Sequence, residues 1–142
     1  MISNKITSGL RGKVNIPGDK SISHRSIIIP SISNGICEIS NILKSEDVHH
    51  TLEAFRSMKV KIEEFNDKII IYGMGLNSLK KPNNKIQLGN SGTSARLLTG
   101  LLSAQKFNTV LIGDESLSSR PMNRITEPLK LMNAKFETKK GY

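Results

Sequence analysis

The 142-residue sequence predicts a mixed α/β (α+β) domain built from repeated βαβαββ-like units. Segments with the two-residue alternation of strands take turns along the chain with segments whose apolar residues recur at helical spacing. A repeat is also visible: residues 58–63 (MKVKIE) and residues 132–137 (MNAKFE) share a pattern at an offset of 74 residues. Each copy closes a helix and opens a strand, and such units bury their apolar faces against neighbouring units.

The first predicted helix follows a turn at residues 17–18. Asp19 is a good N-cap, so we expect this helix to begin near Lys20. Pro30 lacks a backbone N–H and clashes with the preceding turn, which predicts a kink or an early end. Gly35 suits the C-terminus of the helix.

The second predicted helix begins after Ser45, because Glu46 and Asp47 place negative charge in its first turn. The other predicted elements are defined by periodicity and by turn residues. They are an extended segment over 5–16, strands over 36–42, 60–65, 68–72, 85–88 and 109–112, helices over 93–105 and 122–132 (disturbed at Pro128), loops over 73–84 and 113–121, and a strand over 134–138.

Charge and composition limit the possible function classes. The chain has 21 Lys and Arg against 12 Asp and Glu, a formal net charge of +9. Such a surface attracts anions, from nucleic acids to small phosphorylated metabolites. The stacking aromatics of many nucleic-acid binders are scarce, with no Trp, 2 Tyr and 4 Phe. The charge therefore favours small anions over nucleic acid, unless much of it is only solvated surface.

Several other classes of site are excluded or disfavoured. No apolar stretch approaches the roughly 18 residues of a membrane span, and residues 1–10 lack the apolar region of a secretory signal. The single Cys37 excludes an intramolecular disulfide and a multi-cysteine zinc site. His24, His49 and His50 lack metal-ligand spacing. We therefore expect a cytoplasmic protein with no metal and no membrane partner.

The first candidate site is the first motif, residues 17–25 (PGDKSISHR). A glycine turn precedes a helix start, where free backbone N–H groups and the helix dipole favour an anion. Lys20 adds a point charge, Ser21 a hydroxyl donor, and Arg25 a fork that suits phosphate or carboxylate. Lys20 and Ser21 precede Arg25 by about one helical turn, so all three side chains could reach one ligand. The alternative is a capped helix with solvated basic side chains.

The second motif, residues 88–96 (LGNSGTSAR), again joins a predicted strand to a predicted helix through a glycine turn. Backbone N–H groups at Gly92 and Thr93 could hold a phosphate or carboxylate. Arg96 either serves a ligand or braces the helix onto the neighbouring loop. Glycine-rich helix starts are common, so this motif alone is a weak signal.

The third motif, residues 113–122 (GDESLSSRPM), places Arg120 at the end of a polar loop. From this loop alone, a surface arginine paired to Asp114 or Glu115 is the more common arrangement. Three motifs that each follow a strand-like segment and each supply Lys or Arg nevertheless predict a single site. That site would take a substrate pair rich in phosphate and carboxylate.

These motifs carry a specific resemblance. Residues 17–25 closely match the N-terminal signature of the 5-enolpyruvylshikimate-3-phosphate synthase family, and residues 88–96 resemble its second signature. Residues 120–122 (RPM) resemble its third conserved stretch. The order and spacing also fit. The resemblance spans nearly the whole chain, and it covers about the first third of a typical family member.

The resemblance implies a two-domain fold of six βαβαββ units, the inside-out α/β barrel of enolpyruvyl transferases, with substrates in the cleft between domains. Residues 1–17 would contribute a first strand to the other domain, and residues 18–142 would form part of the N-terminal domain. The implied reaction, in the shikimate pathway to chorismate and aromatic amino acids, transfers the enolpyruvyl group of phosphoenolpyruvate to the 5-hydroxyl of shikimate 3-phosphate and releases phosphate. No cofactor is expected, and family members are usually monomeric.

The resemblance also implies roles for single residues. Lys20 would touch both substrates and act in catalysis, and Ser21 and Arg25 would hold shikimate 3-phosphate. Gly92 and Arg120 would hold phosphoenolpyruvate. The supporting residues would be Asn90, Thr93 and Arg96.

Two other functions stay open. An enolpyruvyl transferase acting on UDP-N-acetylglucosamine would share the architecture, but its signature differs at residues 19–21 and its usual loop cysteine has no counterpart in residues 113–121. A non-catalytic module that binds anions or nucleic acid would also use the positive charge. The second repeat copy has no return strand, which leaves a strand edge unpaired. We therefore expect a piece of a longer protein, inactive alone because its cleft has one wall.

Overall fold

The computed structural model describes residue 9 and residues 11–138 of the chain. Helices and strands alternate along most of this length, as the sequence predicts. In chain order they are α1 (Lys20–Ile32), β1 (Asn34–Ser40), α2 (Glu46–Ser57), β2 (Lys61–Glu64), β3 (Lys68–Met74), β4 (Ile86–Gln87), α3 (Gly92–Ser103), β5 (Leu111–Ile112), α4 (Glu115–Ser118) and α5 (Asn123–Leu131).

The first half of the chain forms a three-stranded antiparallel sheet with strand order β1-β3-β2. The central strand β3 alternates, and Ile69, Ile71 and Gly73 are buried on its inner side. Helix α1 packs against β3 and α2 against α1. Gly73 has no space for a side chain, because a Cβ atom there would meet the carbonyl oxygens of Pro30 and Ser33 at the end of α1.

The second half of the chain forms a two-stranded parallel sheet, in which Ile86 pairs with Leu111 and Gln87 with Ile112. Helix α3 connects the two strands, as parallel pairing requires a crossover. It packs against α5 and contacts α1. One apolar core joins the two halves, and its fully buried members include Ile27, Phe55, Ile71 and Leu98.

The repeated pattern found in the sequence corresponds to two helix ends of the same geometry. Lys59 (φ 70°) follows α2 and Asn133 (φ 67°) follows α5, both in the left-handed conformation. The N–H of Val60 donates to the carbonyl of Phe55 at 3.1 Å, and the N–H of Ala134 donates to that of Leu129 at 3.0 Å. Both ends are therefore Schellman motifs, which satisfy the last carbonyls of a helix.

The first helix passes through Pro30 and ends at Ile32, with Ser33 as its C-cap. The helix therefore does not end at Pro30, although Pro30 has no N–H to donate to the preceding turn, and it continues for two more residues. Gly35 does not terminate the helix, so that prediction is wrong. It lies in β1 opposite Gly73.

Two further predictions are wrong. Residues 113–121 are not all loop, because residues 115–118 form the short helix α4, capped by Asp114. Residues 134–138 form no strand. The matching segment β2 is held by hydrogen bonds to β3, whereas no described segment pairs with residues 134–138. Residues 5–8 and 10 of the extended segment expected over residues 5–16 lie outside the described residues, and residues 11–16 form no strand.

The other elements match their predictions to within a few residues. The strands expected at 85–88 and 109–112 are shortened to β4 and β5, and Gly73 and Met74 extend β3. Pro128 lies inside α5. Within residue 9 and residues 11–138, no helix combines the length and the hydropathy needed to cross a membrane.

Candidate functional site

The first motif begins α1 as the sequence predicts. The Asp19 side chain accepts a hydrogen bond from the N–H of Ile22 at 2.7 Å and so caps the helix. The preceding Gly18 lies against the backbone of residues 41–43, where a Cβ atom would collide with the carbonyl oxygen of Asn41. This contact anchors the turn, so that Lys20 and Ser21 occupy the first turn of the helix.

Lys20 forms an ion pair with Asp47 in the first turn of α2. The Lys20 side chain is half exposed, at 50%, so its ammonium group also faces solvent. The sequence predicted Asp47 only as helix N-terminal charge. Ser21 and Arg25 are exposed on α1, and among the described residues neither side chain has a hydrogen-bond or ion-pair partner.

The second motif forms the turn between β4 and α3. Gly89 has φ +53°, a left-handed conformation that glycine adopts readily. A Cβ atom there would also lie 2.5 Å from Nε2 of His50. Ser91 then caps α3 by accepting a hydrogen bond from the N–H of Ser94 at 3.2 Å, so Gly92 is the first residue of the helix.

The third motif is tied directly to this turn. The N–H of Asp114 donates to the carbonyl of Gly89 at 2.9 Å. Arg120 donates a hydrogen bond to the side-chain oxygen of Asn90 and another to Oγ of Ser116, the latter at 3.2 Å. Asp114 accepts from the N–H of Leu117 instead of pairing with the arginine. The arginine–acid pair that this loop alone suggested is therefore wrong.

Two guanidinium groups converge on Gly92. A Cβ atom at this position would lie 2.9 Å from Nη1 of Arg120 and 3.1 Å from Nη1 of Arg96. Arg96 donates to the carbonyl of Gly92 at 3.3 Å, and its buried Nε has no hydrogen-bond partner. Arg96 thus braces its own helix rather than a neighbouring loop. Two cations and the N-terminus of α3 meet at one residue without a side chain, an arrangement that favours an anion.

A buried polar network links the first and second motifs. Nδ1 of His24 lies 2.8 Å from Oγ1 of Thr51 and 3.3 Å from Oγ of Ser94. The Thr51 and Ser94 hydroxyls are 2.6 Å apart, and Ser94 lies 2.7 Å from Oγ of Ser91. All four residues are at most 1% exposed. This network was not predicted from the sequence, although the helical spacing of His24 with the apolar Ile27 and Ile28 could have marked it as inward-facing.

The surroundings of His24 favour its neutral form. Burial lowers the pKa of His24 below its usual range, and the positive charge of Lys20 lowers it further. The carboxylate of Asp47 opposes these effects in part. A neutral imidazole can still donate or accept one hydrogen bond at Nδ1, so the network needs no buried charge.

The structure brings the predicted site residues together to different degrees. Asn90, Gly92, Arg96 and Arg120 form one cluster, and Thr93 lies half-buried beside them in the first turn of α3. The first motif is linked to this cluster by His24, which contacts Ser94 directly and also through Thr51. Lys20, Ser21 and Arg25 make no described contact with Gly92 or Arg120.

The comparisons with known proteins agree on one family description. A model of the EPSP synthase (3-phosphoshikimate 1-carboxyvinyltransferase) family matches residues 4–142. The 3-phosphoshikimate 1-carboxyvinyltransferase of Ruthia magnifica subsp. Calyptogena magnifica is 55% identical over 137 residues, which are 96% of this chain and 32% of that protein. The enzyme of the same name from Lactococcus lactis subsp. lactis (strain IL1403) is 52% identical over 133 residues, 93% of this chain and 31% of that protein.

Solved structures agree with the sequence matches. The EPSP synthase from Acinetobacter baumannii superposes with a TM-score of 0.86 at 51% identity. The match covers 90% of this chain and 29% of that one. The chain therefore spans about a third of the length of the relatives that it matches.

Proposed function

Because this chain belongs to the EPSP synthase family, we propose that it forms part of an enzyme that transfers the enolpyruvyl group of phosphoenolpyruvate to the 5-hydroxyl of shikimate 3-phosphate. The observation that carries the proposal is the convergence of Arg96 and Arg120 on Gly92 at the N-terminus of α3. This cluster offers positive charge and backbone donors to an anion. Phosphoenolpyruvate carries both a phosphate and a carboxylate.

In this proposal, residues at and near the start of α3 hold phosphoenolpyruvate, and residues of α1 hold shikimate 3-phosphate. Gly92 and Arg120 hold phosphoenolpyruvate, and Asn90, Thr93 and Arg96 support them. Ser21 and Arg25 hold shikimate 3-phosphate; their side chains are exposed on α1 and bonded to no other described group. Lys20 touches both substrates, as the family resemblance implies; its position at the start of α1, with half of its side chain exposed, is consistent with that role.

The proposed chemistry needs charge compensation and positioning. The 5-hydroxyl oxygen bonds to C2 of phosphoenolpyruvate while its proton leaves and C3 gains a proton, which gives a tetrahedral adduct. Loss of phosphate and of a proton from C3 then restores the vinyl group. The basic side chains offset the repulsion between two anions, and fixed positions replace a bimolecular encounter. Proton transfer requires acid and base groups, and the family resemblance implies that the main ones come from the C-terminal half of the full-length enzyme.

We extend the proposal to the architecture. Residues 1–17 contribute a strand to the other domain, and residues 18–142 form the first unit and the start of the second unit of an inside-out α/β barrel. The order α1-β1-α2-β2-β3 matches the last five elements of a βαβαββ unit. The two Schellman motifs at the ends of α2 and α5 support a second copy.

The test is a chimera in which residues 1–142 replace the matching N-terminal segment of a full-length relative. Phosphate release is measured with phosphoenolpyruvate and shikimate 3-phosphate, and separately with phosphoenolpyruvate and UDP-N-acetylglucosamine. We expect turnover only with the former pair, and none from residues 1–142 alone. A folded chimera that is inactive with shikimate 3-phosphate would overturn the proposal.

A matched pair of arginines tests the site itself. Arg120→Ala removes a proposed anion-binding group, and we expect a loss of kcat/KM of about 10²-fold. Arg124→Ala removes an exposed arginine of α5 that lies one turn further along the chain, and its activity should stay within about twofold. Equal losses in the two variants would contradict the assignment of Arg120.

A further inference from the structure

His24 has no role in the proposed reaction, yet it is fully buried in the first motif. It lies on α1 one helical turn after Lys20 and next to Arg25. A buried imidazole loses its hydration, so hydrogen bonds within the fold replace it only in part: Nδ1 has partners, but Nε2 has none among the described residues. The partners of Nδ1 do not belong to its own helix: Thr51 lies on α2 and Ser94 on α3.

The network links the three helices by two routes, because Nδ1 of His24 is within hydrogen-bond distance of both Thr51 and Ser94. Either Nδ1 of His24 donates to Thr51, or the Thr51 hydroxyl donates to Nδ1; the carbonyl of Asp47, at 3.3 Å, is a further acceptor for that hydroxyl. In both cases the chain of hydrogen bonds runs from α1 through α2 to Ser94 and Ser91. Ser91 is the N-cap of α3, so the network ends at the residue before Gly92.

We propose that His24 is a positioning residue, which holds the N-terminal turn of α3 in register with the start of α1 through Thr51, Ser94 and Ser91. This inference rests on the proposed function, because it concerns how two anion-binding helix starts keep their relative position. A shift of about 1 Å between reacting groups can cost about 10²-fold in rate, so such a brace affects the reaction without touching a substrate.

The same geometry explains why a polar residue occupies position 24. An apolar side chain could fill the volume of His24, but the hydroxyls of Thr51 and Ser94 would lose their contact with Nδ1. Their remaining partners would be each other, the carbonyl of Asp47 and the hydroxyl of Ser91. The loss of a buried hydrogen bond is costly, and the hydroxyls then reorient toward the partners that remain. This change reaches the N-cap hydroxyl of Ser91 through Ser94.

Three variants separate positioning from packing in the chimera described above. His24→Leu keeps the approximate volume but cannot form the hydrogen bond. His24→Asn is smaller, but its side-chain amide can donate or accept near the position of Nδ1. Thr51→Val is nearly isosteric and removes the middle link, so it carries the test if His24→Leu does not fold. Thermal unfolding of each variant verifies that it folds.

We expect the KM for phosphoenolpyruvate to rise about tenfold in His24→Leu and Thr51→Val and less than about twofold in His24→Asn. The KM for shikimate 3-phosphate should change less than that for phosphoenolpyruvate in every variant. If His24 only filled space, the order would be reversed, and the KM for phosphoenolpyruvate would rise less in His24→Leu than in His24→Asn. A near-wild-type His24→Leu, or an Asn variant impaired as much as Leu, would overturn the inference.

The outcomes also distinguish the two proposals. An active chimera in which His24→Leu and Thr51→Val keep the wild-type KM would reject the positioning role and leave the proposed function standing. A folded chimera without turnover on shikimate 3-phosphate would reject the proposed function, and the positioning role would fail with it.

Discussion

Arg120 donates a hydrogen bond to the side chain of Asn90, which lies 30 positions earlier in the sequence. This bond holds the guanidinium group next to Gly92, where the guanidinium group of Arg96 also lies. The second and third motifs therefore form one surface, and the missing side chain at Gly92 is what allows both arginines to approach.

Gly92→Ala should weaken phosphoenolpyruvate binding in the chimera. The new methyl group would lie 2.9 Å from Nη1 of Arg120 and 3.1 Å from Nη1 of Arg96, so both guanidinium groups must shift. We expect the KM for phosphoenolpyruvate to rise about tenfold with little change in the melting temperature, since flexible side chains can yield. Steady-state kinetics measure the effect, and an unchanged KM would contradict the proposed role of Gly92.

Gly89→Ala should lower the stability of the fold. Its φ of +53° is strained for alanine, and the methyl group would lie 2.5 Å from Nε2 of His50. Together these effects should cost roughly 1–3 kcal/mol of the free energy of unfolding, measured by urea denaturation.

Gly100→Ala is the matched control for Gly89→Ala. Gly100 lies inside α3, and a methyl group added there would have nothing within 4 Å. Alanine favours the helix over glycine, so this variant should be more stable by about 0.5–1 kcal/mol. Similar losses in both variants would show that the turn at Gly89 has no special requirement for glycine.

Lys20→Ala should reduce activity far more than stability. The Lys20–Asp47 ion pair is partly exposed, and such pairs contribute at most about 1 kcal/mol. If Lys20 touches both substrates, kcat/KM in the chimera should fall by about 10²-fold or more, a larger loss than in His24→Ala.

Lys130→Ala is the control for Lys20→Ala. Lys130 also forms an ion pair, with Glu127 on the exposed side of α5. Its loss should leave kcat/KM within about twofold. A Lys20→Ala variant as active as Lys130→Ala would refute the catalytic assignment.

The stability of the fold should fall at acidic pH through His24. The pKa of His24 is lowered in the folded state, so between that value and the unfolded pKa of about 6.5 the unfolded chain binds more protons. The contribution of neutral His24 is fully present above about pH 6.5 and decreases as the pH falls through this window.

Urea denaturation between pH 5 and pH 8 measures this dependence. In His24→Asn, which cannot take up a proton in this range, the slope of stability against pH below 6.5 should be smaller. Identical slopes in the two proteins would show that His24 is not the responsible group.

Local features of the fold were predictable from neighbouring residues. Asp19 and Ser45 cap α1 and α2 as expected, because a cap depends on residues three positions away. The strand over 134–138 was not predictable in the same way. The very similar segment at β2 is a strand because β3 lies beside it, and pairing is a property of two segments.

The candidate site also combines features that were predictable from neighbouring residues with one that was not. Glycine turns and basic residues marked all three motifs, because the anion preference of a helix start is local. The partner of Arg120 was not local: the loop offered Asp114 and Glu115, but Asp114 caps α4 and Asn90 receives the arginine.

The amino-acid order alone thus determined where α1 and α2 begin, where the glycine turns of the first and second motifs lie and which family the motifs resemble, since each depends on a few neighbouring residues. Only the tertiary structure decided that His24 meets Thr51 and Ser94, 27 and 70 positions away. The physical reason is that such contacts depend on how three helices pack around one apolar core, and no local pattern records that packing.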